Sequence, residues 1–336
     1  MGLPDFLIIG APKAGSTALH AALALHPELS PASIKEPKYF LCDDRPPNPA
    51  SQRGPGDAHS AREWVWRRGD YERLFDEAPP GRLRYESSPF YLWDSSAHER
   101  IARTVPQIKL IAVIRDPIDR AFSNWTHLRA DGLEPERDFL AACLAEPRRV
   151  AAGWAPFWRY LELGRYGEQL QHLFGYVPPE RVLVLRYRLL VDEAQRTLDT
   201  VCEFLGITPG LLSGLPESNL GRWTQHSALN DMLRTVVRAG ATAGAHVPPQ
   251  FWRAAEKPLL RLLQRGSPIR PRLSGTDRRH LVPYFEDANS LLTELLGSEY
   301  ADWLKPDSAG SYTTRRAHAA AAAADRRTEA VLGAGQ

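Results

Sequence analysis

The chain has 336 residues, of which 43% are hydrophobic and 24% charged, and its formal net charge at pH 7 is +2. This composition is typical of a globular protein. The near balance of charges gives no global signal of nucleic-acid binding, although arginines cluster locally, as at Arg67-Arg68 and Arg148-Arg149. Many of the cations are arginines, whose guanidinium groups suit phosphate and sulfate, although a GC-rich genome explains their number equally well.

The cysteines and the apolar segments indicate the cellular setting. Cys42, Cys143 and Cys202 show neither a disulfide framework nor a metal-ligand spacing. No apolar stretch is long enough to span a bilayer, and the N-terminus lacks the basic region of a signal peptide. We therefore expect a cytoplasmic protein with no metal, no membrane span and no nucleic-acid partner. The sequence does not define an oligomeric state.

The chain begins with a strand, a glycine loop and a helix. The apolar run Phe6–Ile9 predicts a buried strand, and a tight loop follows from Gly10 to Gly15. Residues 16–26 then have the apolar spacing of a helix, which Pro27 ends. This order is the start of a parallel α/β unit.

Later segments continue the alternation. Residues 42–60 are rich in Pro, Asp, Asn, Gly and Ser and predict a surface loop. Further strands are predicted over residues 108–114 and 182–185, and helices over residues 63–75, 118–130, 157–174, 191–205 and 277–296. We expect a single α/β domain over residues 1–305, with a P-loop-like parallel sheet of about five strands and helices on both faces. Residues 306–336 are predicted to be a disordered tail.

The loop after the first strand, GAPKAGST, is suited to binding an anion. A helix N-terminus presents free backbone N–H groups and the positive end of its dipole. Gly10 and Gly15 let the backbone approach an anion closely, Lys13 adds a charge, and Ser16 and Thr17 add hydroxyl groups. The loop is not a Walker A motif, since Ser16 stands where that motif has lysine. The alternative is a glycine-rich turn with a solvent-facing lysine.

A second anion site is predicted in the segment VIRDPIDRAFSNW, residues 113–125. Arg115 follows a strand, at the edge where α/β sheets bind ligands. Ser123 follows about two helical turns later, so both side chains can converge on one phosphate. The alternative is that Asp116 simply opens a helix and pairs with Arg120 on its surface.

These two motifs resemble those of sulfotransferases that use 3′-phosphoadenosine 5′-phosphosulfate (PAPS), in particular the heparan sulfate N- and O-sulfotransferases and their bacterial relatives. FLIIGAPKAGSTALHAALALHP is similar to the 5′-phosphosulfate loop and its helix, and VIRDPIDRAFSNW to the 3′-phosphate motif. Between them, KEPKYF (residues 35–40) resembles the segment that holds the catalytic glutamate, and ESSPFY (residues 86–91) resembles a later landmark. The resemblance runs from about Phe6 to Trp303.

The resemblance implies roles for particular residues. Glu36 would be the general base, and Lys13 would contact the bridging oxygen of the phosphosulfate and stabilise the leaving group. Arg115 and Ser123 would hold the 3′-phosphate, and Arg222 lies in a segment similar to one that closes over it. The residues implied to bind the donor around its 5′-phosphate are Lys13, Ala14, Gly15, Ser16, Thr17 and Ala18. PAPS would be the co-substrate, and a small molecule or glycan the acceptor.

Two departures separate the chain from the heparan sulfate enzymes. Ser87 follows Glu86 where those enzymes have a lysine that helps at the sulfuryl site. The C-terminal disulfide of their secreted members is absent, which agrees with a cytoplasmic location. Both departures argue against heparan sulfate itself as the acceptor.

Other interpretations of the same residues stay open. A P-loop nucleotide kinase would show magnesium-dependent ATP turnover, and a non-catalytic nucleotide-binding protein would bind the donor product without transfer. Glu36 has the alternative of a surface carboxylate paired with Lys35 or Lys38. The alternative bases are His20, His26, His98 and His127.

Overall fold

A computed structural model describes residues 2–48, 53–55, 64–216 and 271–305 of the chain. Its parallel strands are β1 (Phe6–Gly10), β2 (Leu29–Pro31), β3 (Leu83–Ser87), β4 (Lys109–Ile114) and β5 (Val182–Arg186). They form one five-stranded sheet in the spatial order β2-β3-β1-β4-β5. The predicted α/β class and the parallel sheet are confirmed.

The α-helices of the described ranges alternate with the strands or follow them. In chain order they are α1 (Ser16–Leu23), α2 (Arg68–Arg73), α3 (Ser95–Thr104), α4 (Pro117–Ala130), α5 (Phe139–Leu144), α6 (Glu146–Ala151), α7 (Tyr166–Phe174), α8 (Tyr187–Asp192), α9 (Ala194–Leu205), α10 (Gly275–Leu281) and α11 (Glu286–Leu296). Within these ranges, none of the helices combines the length and the apolar character that crossing a bilayer requires.

Helices cover both faces of the sheet, as predicted. Successive residues of β1 point to opposite faces, because side chains alternate along a strand. Phe6 and Ile8 share a core with α1 and α9 through Leu19, Leu23, Leu198, Val201 and Leu205. Leu7 and Ile9 share a second core with α3, α7 and α11 through Ile101, Leu170, Leu173 and Leu292.

Several predicted helices are shorter or divided. Of the described part of the helix predicted over residues 63–75, which is residues 64–75, only Arg68–Arg73 is α-helical. Residues 157–174 contain 3₁₀ turns before α7 begins at Tyr166. Residues 277–296 are divided into α10, a 3₁₀ turn at Val282–Tyr284 and α11. Pro283 lies in that turn and has no N–H for a helical hydrogen bond, which explains the division.

Two strands and one helix near the site were not predicted. β2 is a three-residue strand that contains Pro31, and β3 contains Arg84 and Glu86, so neither shows a strongly apolar run. The α3 helix begins where Asp94 accepts a hydrogen bond from the Ala97 amide at 3.0 Å. The predicted tail, residues 306–336, and Arg222 lie outside the described residues.

Candidate active site

The phosphate loop lies at the carboxyl end of the central strand β1. Gly15 precedes α1 with a φ of 104°, a conformation that side chains disfavour. A Cβ added there would lie 2.8 Å from Cδ2 of Tyr187, and one added at Gly10 would lie 2.6 Å from Cβ of Leu92. No side chain caps the start of α1. The Ala18 amide donates to the Gly15 carbonyl at 3.0 Å, so the amides of Ser16 and Thr17 are the ones that can bind an anion at this uncapped end.

The predicted donor-binding residues of this loop lie where the sequence placed them. Ala14 and Ser16 are buried, Lys13 and Ala18 are half-buried, and Thr17 is exposed. Lys13 has a φ of 65°, an uncommon conformation for a residue with a side chain. Such backbone outliers cluster at functional sites, where the surrounding fold holds them.

Arg115 follows the neighbouring strand β4 at the same edge of the sheet. Its guanidinium carbon lies 4.9 Å from the ring centre of Tyr187, the residue that also packs against Gly15. Its Nε is buried and has no hydrogen-bond partner among the described residues. A buried donor of this kind fits an anion, because leaving it unpaired costs free energy. Tyr187, which belongs to neither predicted anion motif, thus links the two elements.

The alternative interpretation of the segment after Arg115 is half right: Asp116 opens a helix, but it does not pair with Arg120. Asp116 does open α4, accepting hydrogen bonds from the amides of Ile118 and Asp119 at 3.0 Å each. Arg120, however, is fully buried and donates to the Tyr160 carbonyl at 2.6 Å. The cation that pairs with Asp116 is Arg278, which is distant in sequence.

Ser123 is half-buried on α4, and its carbonyl accepts a hydrogen bond from Thr126 Oγ1 at 3.0 Å. Within the described ranges no hydrogen bond links Ser123 to Arg115. A pocket open to solvent lies beside Arg115. Its lining is rich in charged residues of both signs and in aromatic rings: Arg115, Asp116, Asp119, Arg186, Tyr187, Arg188, Asp302 and Trp303.

Glu36 lies in the segment that follows β2 and faces the phosphate loop. Its Oε1 accepts a hydrogen bond from Nζ of Lys35 at 2.5 Å, and the same ammonium donates to Oγ1 of Thr17 at 3.1 Å. The Glu36 side chain is only 12% exposed. The alternative pairing with Lys35 is therefore present, but it lies against the loop rather than on a solvated surface. The Lys38 ammonium instead lies 4.8 Å from the ring centre of Trp64.

A buried network joins the Glu36 segment to β3. Glu86 is fully buried at the end of β3 and accepts a hydrogen bond from the Tyr71 hydroxyl at 3.3 Å. The hydroxyls of Ser88 and Tyr91 lie near enough to the Glu86 carboxyl to affect its pKa, while its buried Oε2 has no hydrogen-bond partner among the described residues. In turn, Oγ of Ser88 accepts the Lys38 amide at 3.1 Å, and the Tyr91 hydroxyl accepts the Phe40 amide at 3.3 Å. These bonds fix the backbone on the C-terminal side of Glu36, where Glu36 and Lys38 have φ values of 61° and 60°.

Burial raises the pKa of Glu86 to about 7, and the nearby charge of Glu36 also raises it, while the hydroxyls of Tyr91, Ser88 and Tyr71 lower it. In the sequence, Glu86 is evident only as the start of a segment that resembles a family landmark. Its network was missed because Tyr71 and Tyr91 lie on separate segments of the chain.

The histidines considered as alternative bases are held in packed positions. Burial and the charge of Lys35 lower the pKa of His20 to about 4. Burial lowers the pKa of His98 to about 4, and its Nδ1 lies 2.9 Å from Nδ1 of His172. His26 contacts the Thr208 carbonyl at 2.9 Å, and His127 lies 3.5 Å from Asp131. Among the described residues no group of three or more His, Cys, Asp or Glu side chains could hold a metal ion.

Residues 4–209 match the sequence model of the sulfotransferase family. The chain belongs to this family, which agrees with the resemblance seen in its motifs. Its fold is similar to that of a sulfotransferase from Alicyclobacillus acidocaldarius, with a TM-score of 0.59 and 26% identity over 75% of this chain and 100% of that one.

Two human proteins illustrate the similarity in sequence. The bifunctional heparan sulfate N-deacetylase/N-sulfotransferase 3 is 26% identical over 91% of this chain and 31% of its own length. The heparan sulfate glucosamine 3-O-sulfotransferase 3B1 is 27% identical over 61% of this chain and 46% of its own length. The chain thus spans less than half the length of these curated relatives.

Proposed function

We propose that this protein is an enzyme that transfers a sulfuryl group from PAPS to a hydroxyl or amine of a carbohydrate-like or small-molecule acceptor. One observation carries the proposal. An uncapped helix N-terminus after β1 and the unpaired, buried Nε of Arg115 after β4 lie on adjacent strands, joined through Tyr187. Two anion-binding elements side by side suit a nucleotide that carries phosphate on two positions of its ribose.

The donor would be bound mainly through these two elements. The backbone of residues 14–18, with the hydroxyls of Ser16 and Thr17, would hold the 5′-phosphate. Arg115 would bind the 3′-phosphate, with Ser123 further along α4 and, by resemblance, Arg222. Lys13 would lie beside the oxygen that bridges phosphorus and sulfur.

The transfer is a displacement at sulfur. A lone pair of the acceptor oxygen or nitrogen forms the new bond to sulfur while the bond from sulfur to the bridging oxygen breaks. That electron pair leaves with adenosine 3′,5′-bisphosphate, where Lys13 and the helix N-terminus stabilise the charge. Glu36 takes the acceptor proton. Positioning and charge stabilisation are sufficient for such a step, so no metal is invoked.

The relatives named above as heparan sulfate sulfotransferases support a glycan acceptor for this chain. Ser87, at the end of β3, stands where the heparan sulfate enzymes have a lysine, and this difference supports an acceptor other than heparan sulfate. A cytoplasmic location and the domain bounds 1–305 stay predictions.

Calorimetry tests the donor site directly. We expect adenosine 3′,5′-bisphosphate to bind more tightly than AMP, and Arg115→Ala to remove that preference while leaving AMP binding unchanged. The proposal is wrong if the wild-type protein binds both nucleotides equally. A screen of amino- and hydroxy-sugars with ³⁵S-labelled PAPS tests the transfer, with Glu36→Gln and Lys13→Ala as variants that should lose it. Tight nucleotide binding without transfer would instead favour a binding protein, and magnesium-dependent ATP turnover a kinase.

A further inference from the structure

The ammonium of Lys35 joins the two halves of the candidate site. It lies 2.5 Å from Oε1 of Glu36 and 3.1 Å from Oγ1 of Thr17. Thr17 is in the first turn of α1, where the donor phosphate is proposed to bind, and Glu36 is the proposed acceptor of the proton. A sulfuryl group in transfer must pass between these two residues. Lys35 therefore lies at the point where negative oxygens of that group would travel.

The position of Lys35 is fixed by the fold rather than by the ion pair alone. The Ala32 amide donates to the Tyr85 carbonyl at 2.7 Å, and the Ser33 amide donates to the Leu74 carbonyl at 3.1 Å. After Lys35, the Lys38 amide is bound to Ser88 at 3.1 Å. The segment that carries Lys35 is thus tied to its neighbours on both sides. An ordinary solvated pair would lack such support.

Partial burial of Lys35 strengthens the electrostatic effect of its charge on nearby groups. The Lys35 and Glu36 side chains are 20% and 12% exposed, so water screens them less than a surface pair. The charge of Lys35 is also one cause of the lowered pKa of His20 on α1. A surface pair such as Arg196 with Glu193 is different, since the Arg196 side chain is 84% exposed. Lys35 can therefore act on a negative oxygen that lies between α1 and Glu36.

A second cation beside the sulfuryl group would also stabilise the transfer. Lys13 is assigned to the leaving oxygen, but the sulfuryl oxygens themselves also carry negative charge. Ser87, at the end of β3, is fully buried and uncharged, so it supplies no cation there. Lys38 is directed toward Trp64, 4.8 Å from its ring centre.

We propose that Lys35 is a catalytic residue whose ammonium binds the sulfuryl oxygens during transfer. The inference rests on the proposed function. In the resting site Lys35 binds Glu36, and the acceptor hydroxyl replaces it there by donating to the carboxylate. The freed N–H then binds a sulfuryl oxygen, while Thr17 keeps the ammonium beside α1. Lys35 neither gains nor loses a proton, so the balance of the displacement is unchanged.

The test compares Lys35→Met and Lys35→Arg with the wild-type protein. The readouts are calorimetry with adenosine 3′,5′-bisphosphate and single-turnover release of label from ³⁵S-PAPS, either to the best acceptor of the sugar panel or to water. Arg196→Met is the matched control, because it removes an exposed cation on α9 that pairs with the carboxylate of Glu193. Glu36→Gln reports separately on the transfer reaction.

Lys35→Met should lower the transfer rate by roughly 10²–10³-fold, the usual effect of removing one charge-stabilising group. Binding of the bisphosphate should stay within about twofold of wild type, since that ligand has no sulfuryl group and the effect belongs to the transition state. Lys35→Arg should recover part of the rate, and Arg196→Met should match wild type. Unchanged transfer in Lys35→Met, together with lost transfer in Glu36→Gln, would overturn this inference alone. No label release by the wild-type protein would overturn the proposed function and the inference with it.

Discussion

Arg278 is joined to Asp116 by a buried ion pair that spans 162 positions of sequence. Nη1 of Arg278 lies 3.3 Å from Oδ1 of Asp116 and 3.2 Å from Oδ1 of Asp119, and its Nη2 also contacts Asp116 and the Trp303 carbonyl. The Arg278 side chain is 1% exposed. Since Asp116 directly follows Arg115 and caps α4, this pair anchors the proposed 3′-phosphate element to the C-terminal helices.

Arg278→Ala should therefore destabilise the protein and weaken nucleotide discrimination. Removing Arg278 leaves Asp116 and Asp119, whose side chains are 10% and 12% exposed, without the cation that pairs with them. The loss of one partner costs about 3–5 kcal/mol in comparable buried pairs. Burial and Asp116 already raise the pKa of Asp119. Urea unfolding should show the loss, and calorimetry should show weaker binding of adenosine 3′,5′-bisphosphate relative to AMP. Arg279→Ala, an exposed neighbour, is the control and should stay within about 0.5 kcal/mol of wild type. Equal stability of both variants would contradict the anchoring role.

Gly15→Ala should impair nucleotide binding because the loop has no room for a side chain. The new Cβ would need the φ of 104° and would lie 2.8 Å from Tyr187, which also contacts Arg115. Gly81→Ala is a matched control, since Gly81 has a φ of 82° with no atom within 4 Å of the added Cβ. In both variants the positive φ lowers the free energy of unfolding by about 1 kcal/mol. Only Gly15→Ala should lose more than tenfold in affinity for adenosine 3′,5′-bisphosphate, and a similar affinity in both would argue against crowding at the loop.

His20→Gln should keep most of the transfer activity. His20 was an alternative base, but burial and the charge of Lys35 lower its pKa to about 4. A base with so low a pKa is a poor proton acceptor at neutral pH. The ³⁵S assay should show little change for His20→Gln and a large loss for Glu36→Gln. A loss of roughly 10²–10⁴-fold in His20→Gln would assign the base to His20 instead.

The parts of the site that the sequence predicted are those encoded by short segments. The strand at Phe6, the glycine loop and α1 are contiguous, so hydrophobic pattern and loop chemistry define them together. Arg115 was found for the same reason, since it directly follows an apolar strand. These local signals also gave the parallel sheet, although β2 and β3 escaped them because they are short or partly polar.

The parts that escaped prediction depend on contacts between distant segments. The pairing of Arg278 with Asp116 and the packing of Tyr187 against Gly15 have no signal in any one stretch of sequence. The Glu86 network is similar, because it joins Tyr71, Tyr91 and the Lys38 backbone only after the chain folds. Burial likewise decides the charge of Glu86, and burial is not encoded in its immediate neighbours.

Glu86→Gln should change how the stability of the protein depends on pH. The pKa of Glu86 is raised from 4.5 to about 7 on folding, mainly by burial, so the folded state holds its proton more tightly than the unfolded state. The contribution of Glu86 to the free energy of unfolding is fully present below pH 4.5 and is lost as pH rises through about 7. A shift of this size corresponds to about 3 kcal/mol. Because glutamine has no proton to release, the variant should gain stability relative to wild type by up to about that amount between pH 5 and pH 8.

Urea unfolding at several pH values measures this difference, and the slope with pH is the readout rather than the offset at any one pH. Glu99→Gln is the control, because the Glu99 side chain is 59% exposed on α3 and should give a curve parallel to wild type. Parallel curves for Glu86→Gln and wild type would mean that Glu86 ionises normally in the folded protein. The hydroxyls of Tyr71, Ser88 and Tyr91 would then stabilise a carboxylate at the end of β3, and the negative charge beside Glu36 would be permanent at neutral pH.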